Sequence, residues 1–152
     1  MADTIREQII SAVMTRLEEW SVANGFNYDC GTSIVRAIQQ IEDTALPACV
    51  LWPQAEEVEE RYGQNICIMV LKVEALADIG ENNRSVVQEK LLGDLIRIMT
   101  DPTVSITDLV EEIAYTSGDP AGAEQNEDKI TAVAAEFRVK YSTMLGNPYS
   151  QY

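Results

Sequence analysis

The chain contains no histidine among its 152 residues. That removes the usual general base near neutral pH, and with it the Ser-His-Asp and Cys-His arrangements of nucleophilic catalysis. It also removes the common nitrogen ligand of zinc and iron, so a zinc site would need clustered cysteines. The three cysteines, Cys30, Cys49 and Cys67, are widely spaced. Their odd number and spacing suit neither a metal site nor a disulfide framework. Each lies among apolar or strand-forming residues and reads as a buried free thiol, the pattern of a reducing, cytoplasmic compartment. Long apolar runs are missing too. The longest, Ile66 to Leu71, meets Lys72 at once and falls far short of the roughly 20 residues of a membrane span. Met1-Ala2-Asp3-Thr4 is polar and leads into a helical pattern, unlike a signal peptide. No Gly-rich phosphate loop of the Walker or dinucleotide type occurs. Gly118-Asp119-Pro120-Ala121-Gly122 carries glycines but opens no helix.

Positive charge is scarce. Eleven Lys and Arg stand against 25 Asp and Glu, for a formal charge of −14. Sequence-reading contact with nucleic acid needs a basic footprint, which this balance disfavours. The excess solvates the surface and would repel DNA passing nearby. Many carboxylates fall in adjacent pairs: Glu18-Glu19, Glu56-Glu57, Glu59-Glu60 and Glu111-Glu112. Adjacent pairs usually mean solvated surface rather than the converging acids of a glycosidase. Glu124 to Asp128 lacks the spacing and glycine of a calcium loop. No catalytic residue, metal site or cofactor is expected.

The length suits a single domain, 1–152, and a hydrophobic fraction of 46% can fill one core. Thr4 to Trp20 reads as an amphipathic helix, with Ile5, Ile9, Val13, Leu17 and Trp20 on one stripe. Asp3 or Thr4 can cap it, Glu7 supplies a capping-box acid, and Gly25 follows its end. A short extended piece is expected within Tyr28 to Gln40. Pro47 to Pro53 suits a short edge strand, and Glu56 to Tyr62 a hairpin connection or strand ends. Asn65 to Asp78 is the strongest strand. It is apolar on both faces, which predicts burial on both along its first half. A second helix starts at Asn83 or Ser85 and runs to about Met99, stopped by Asp101-Pro102. Leu109 to Thr116 reads as a strand. Ser117 to Asp128 reads as a mobile loop with no apolar anchor.

Ile130 to Tyr152 closes the chain. Val133, Ala135, Phe137, Val139 and Tyr141 alternate with Glu136, Arg138 and Lys140, the period of a strand with one face on a core. The order helix, strands, helix, two strands predicts an α+β fold, a mainly antiparallel sheet flanked by two helices on one face. Arg138 and Lys140, a basic pair in an acidic chain, either meet an acidic surface on another copy or form a solvated face with cross-strand pairs. Tyr149 and Tyr152 suit an interface better than a dangling tail.

The whole-chain order of elements, with the Leu46-Pro47-Ala48 entry to a short strand, resembles the tail terminator (tail completion) proteins of long-tailed bacteriophages. Phe137-Arg138-Val139-Lys140-Tyr141 is similar to that family's closing F-x-V-x-Y strand. Gly146-Asn147-Pro148-Tyr149 resembles its G-D-P-Y ending, with Asn147 where the family carries Asp. The resemblance implies a homo-oligomeric ring, as a hexamer, at the head-proximal end of the tail tube. Such a ring stops polymerisation of the tail tube protein and presents a surface to the neck or head completion protein. Genomic DNA would pass through its lumen without specific binding, and no membrane is involved. The location would be the tail and neck of the virion, after assembly in the host cytoplasm. Arg138, Lys140 and Tyr141, with Pro148, Tyr149 and Tyr152 of the tail 145–152, are the expected contact residues. Asp119 and Pro120, in the 117–128 loop, would reach a neighbour or the tube. Another neck component, a stopper or adaptor, and a non-viral cytoplasmic interaction module are the alternatives.

Overall fold

The structure, a computed structural model, describes residues 2–37, 46–120 and 129–152. Helix α1 spans Ile5–Leu17 and helix α2 spans Arg84–Thr100. The strands are β1 (Ile34–Arg36), β2 (Ala48–Arg61), β3 (Gln64–Asp78), β4 (Val110–Asp119) and β5 (Ile130–Met144). They form one five-stranded sheet in the order β1-β2-β3-β5-β4. Only β1 and β2 run parallel; the other pairs are antiparallel. The fold is therefore α+β, as the order of elements predicts.

Local chemistry sets the boundaries. Thr4 caps α1 by accepting from the Glu7 backbone N–H at 3.0 Å. The Glu7 carboxylate does not close a capping box but takes two bonds from Arg36, at 2.7 and 2.9 Å. The helix ends at Leu17, earlier than its apolar stripe suggests, and Trp20 is buried from the turn that follows. Asn83 caps α2. Between Arg61 and Gln64, Tyr62 (φ 55°) and Gly63 (φ 80°) close a two-residue hairpin. Positive φ at both central residues is what such a turn needs to match strand twist. The run Glu56 to Tyr62 is thus the far limb of β2 plus its turn, and β2 is much longer than Pro47 to Pro53 predicts. The register shifts between Pro53 and Glu56, so a bulge takes up the proline within the strand. The extended piece near residue 34 is only three residues long. Ser117, Gly118 and Asp119 belong to β4 rather than a loop. The remainder of the expected mobile loop, 121–128, lies outside the described residues.

One core holds the domain together. It joins Ile5, Ile9 and Val13 of α1, Leu91, Leu95 and Ile98 of α2, and alternate residues of β3 and β5. On β5 these are Val133, Ala135, Phe137, Val139 and Tyr141, the face that period-2 spacing assigns to the core. A polar clamp ties the turn after α1 to α2. The buried Asp94 carboxylate accepts from the Trp20 indole at 3.0 Å and from the Asn27 backbone and side-chain amides, both at 2.8 Å. All three cysteines are buried and unpaired.

The reading of β3 needs correction. Cys67, Met69, Leu71 and Val73 are buried, but Ile66, Ile68 and Val70 are only half-buried and lie outside the core. Cys67, Met69, Leu71 and Val73 share the core cluster with the helical residues, whereas Ile66, Ile68 and Val70 have no place in it.

Candidate assembly surface

Strand register places the outer face residue by residue. Ile68 of β3 stands between Glu57 of β2 and Lys140 of β5. Lys140 has Glu112 on its far side, and Arg138 lies between Val70 and Ala114. Lys72 lies between Trp52 and Glu136. Half-buried isoleucine and valine therefore sit beside cations on a surface that the core leaves bare. Side chains directly across a ladder can pair, yet neither Lys140 with Glu112 nor Lys72 with Glu136 forms a salt bridge.

The arginines sharpen this contrast. Arg6, Arg16, Arg36 and Arg61 are bridged to carboxylates of their own chain. Arg84 donates to the Ile130 carbonyl, and Arg97 donates to Gly25 and lies over the Phe26 ring at 4.6 Å. Arg138 is exposed and makes no such contact among the described residues. A guanidinium facing out between two apolar neighbours suits a partner's carboxylate.

The far limb of β2 offers the opposite charge. β1 pairs only with Cys49, Val50 and Leu51. Beyond them, among the described residues, the outer edge of β2 carries no strand down to Arg61. Unpaired strand edges recruit partners. Glu57 and Glu60 on this limb are exposed and have no salt bridge among the described residues, whereas Glu59 pairs with Arg61. Val58 is 55% exposed and Tyr62, at the tip, 86%. The combination is an acidic arm with apolar contact area.

Several expected contact residues are at the surface. Arg138, Pro148, Asp119 and Pro120 are exposed, and Lys140 is half-buried. Tyr149 and Tyr152 are 48% and 63% exposed. The tail does not dangle. Ile5 donates to the Pro148 carbonyl at 2.8 Å, Met144 to Ser150 at 3.0 Å and Gln151 to Leu109 at 3.2 Å. Its anchoring at Pro148 puts that residue beside the N-terminus of α1.

Tyr141 must be removed from the contact set. It is 2% exposed, because position 141 belongs to the core-facing alternation of β5. Its hydroxyl donates to Glu56, whose carboxylate also takes a 3.0 Å bond from Arg6. Burial, and then the bond to Glu56, raise the Tyr141 phenol far above its ordinary range. The three side chains line a pocket of about 200 Å³ that Thr4, Cys67 and Pro148 also border. Their bonds to one another tie the bulge of β2 to α1 and β5. A larger cleft, about 390 Å³, lies between the end of α2 and the start of β4, lined by Met99, Val104 and Ile113 among others. No cluster of three metal-binding side chains occurs among the described residues. None of their helices is long and apolar enough to cross a membrane. The chain matches no protein-family model and no curated protein.

Glu57 and Glu60 read from sequence as solvated acidic pairs, and Ile66, Ile68 and Val70 as one of two buried faces of a strand, with no contact role for either. The available signal was a strand apolar on both sides in a chain whose two helices serve one side. The Arg6–Glu56–Tyr141 cluster had no signal, since its members are 50 and 85 residues apart.

The thiols give a direct check on the core. Burial, the largest influence on each, pushes Cys30 and Cys49 well above the ordinary thiol range. A raised folded pKa means stability that is complete below the unfolded value and lost as pH rises toward the folded one. Urea midpoints are therefore expected to fall from about pH 9 upward, and less steeply in Cys30→Ala/Cys49→Ala. Ellman's reagent at pH 8 should label the native chain slowly and all three thiols at once in urea. Fast native labelling would contradict the burial.

Proposed function

We propose that the chain is a structural subunit of a homo-oligomeric ring, a tail-terminator-like virion protein. The ring would cap the tail tube, stop its growth and join the tail to the neck or head. The observation that carries the reading is Arg138. It is an unbridged guanidinium beside half-exposed Ile68 and Val70, in a chain of charge −14 whose other arginines are engaged. Copies of so acidic a chain repel one another, so contact between them favours the places where cations meet carboxylates. The closing F-x-V-x-Y strand and the Gly146-Asn147-Pro148-Tyr149 ending support the specific family.

The mechanism is binding without turnover. A head-to-tail contact repeated through a fixed rotation closes into a ring. The exposed tail tyrosines and the β4 end at Asp119 and Pro120 remain for the tube or the neck protein. A lumen lined with carboxylates would let DNA slide past without sticking. The test is growth of tail-tube protein with and without the purified chain. Tubes that stop lengthening and carry density at one end are expected. Tubes that grow unchanged, with no bound chain, would refute the reading and favour a stopper or adaptor of the neck, or a non-viral interaction module.

A further inference from the structure

We propose that the acidic far limb of β2 docks on the basic, half-apolar outer face of the next copy, and that this arm-to-face contact is what closes the ring. The inference rests on the ring reading and names the two surfaces that meet.

Charge and shape both favour a second copy as the occupant. The arm carries Glu57, on the side of Ile68, and Glu60, on the opposite side, neither with a salt bridge among the described residues, with exposed Val58 and Tyr62. The face carries unbridged Arg138 and Lys140 beside Ile68 and Val70. Each surface holds apolar area beside charge that has no salt bridge among the described residues: carboxylates on the arm, and Arg138 and Lys140, with Glu112 and Glu136 as neighbours, on the face. The arm cannot serve its own face. Glu57 is separated from Lys140 by the whole of β3, about 10 Å across two strand spacings. Their backbones are fixed in one ladder, and no salt bridge joins their side chains. A neighbouring chain can supply the partner that each lacks.

The open edge of β2 adds backbone bonding. From Gln54 to Arg61, among the described residues, it has no strand partner on its outer side. A neighbour's edge or loop can therefore be held by main-chain bonds while the charges fix orientation. Because arm and face are different surfaces, the contact is heterologous and propagates around a ring instead of closing a two-fold pair. Arm-to-face docking is also salt-sensitive, since exposed ion pairs weaken within a Debye length of about 8 Å at physiological salt.

Charge exchange tests this. Glu57→Lys/Glu60→Lys reverses the arm, and Arg138→Glu/Lys140→Glu reverses the face. Particle mass is read by light scattering under conditions where the wild type assembles, alone or on tube protein, with circular dichroism showing that each variant is folded. Each variant alone is expected to assemble at least about 100-fold more weakly. Mixed one to one, they should recover the wild-type mass as an alternating ring, because each reversed arm then meets a reversed face. A folded arm variant that assembles like the wild type overturns the proposal, as does a mixture that stays dissociated. A particle that stops at two copies overturns the head-to-tail geometry. In the first two cases the wild type still forms its ring and the ring reading stands, whereas a two-copy particle contradicts the ring as well. A wild type that never assembles, with or without tube protein, removes both.

Discussion

Asp94→Ala is expected to lower the unfolding free energy by about 3 kcal/mol, read as a shift of the urea midpoint at unchanged slope. The buried carboxylate accepts three hydrogen bonds, from the Trp20 indole and both amides of Asn27. Alanine would strand the buried Trp20 indole, which costs about 1–3 kcal/mol, and would release the amides of exposed Asn27, which water can partly satisfy; the losses do not simply add. The damage reaches beyond one contact, because Asp94 is on α2 while Trp20 and Asn27 belong to the segment after α1. Asp94→Asn keeps the shape and one acceptor oxygen, so its loss should be smaller. Domains of this kind are stable by about 5–15 kcal/mol, so the alanine variant should still fold but melt early. An unchanged midpoint would mean that the clamp does not form.

Phe137→Ala and Arg138→Ala, one residue apart, are expected to fail in opposite ways. Phe137 is fully buried at the centre of the sheet, with Tyr115 against it at 5.8 Å between ring centres. Its truncation leaves a cavity and should cost about 3–5 kcal/mol. Arg138 points to the other side, is exposed and makes no bond among the described residues. Its truncation should leave monomer stability within about 0.5 kcal/mol, while weakening assembly. Urea unfolding and particle mass, measured on both variants, separate the effects. A large stability loss in Arg138→Ala would show that the outer face is already occupied within the chain.

The parts legible in the sequence share one physical basis. Helix stripes and strand alternation report which side of an element meets a core, and that signal is local. It located both helices, β3, β4 and β5, and it put Phe137 and Arg138 on opposite faces. It failed where distant contacts decide. Pro53 suggested the end of a strand, but a bulge carries β2 past it to Arg61. Apolar residues on both sides of β3 suggested burial on both, yet spacing cannot say whether a second layer comes from the same chain or from another. Tyr141 was assigned both a core alternation and a surface role, and only the first is compatible with its position. The unbridged state of Arg138 was invisible, because it depends on the six other arginines finding partners.

Those corrections make the surface reading more specific. A basic strand face in general becomes one guanidinium, a stripe of three half-buried aliphatic residues and an acidic arm of known register. The C-terminal tail is held at Pro148 by the start of α1 and at Gln151 by Leu109, ahead of β4. Self-contact and contact with tube or neck protein can then use different residues.

The mass of the native particle, by light scattering, alone and then with polymerising tail-tube protein, bears most directly on the proposed role. A hexamer is expected, or a monomer that becomes a ring on the tube and halts its growth. A monomer of 16.9 kDa that stays a monomer and ignores the tube protein would contradict it.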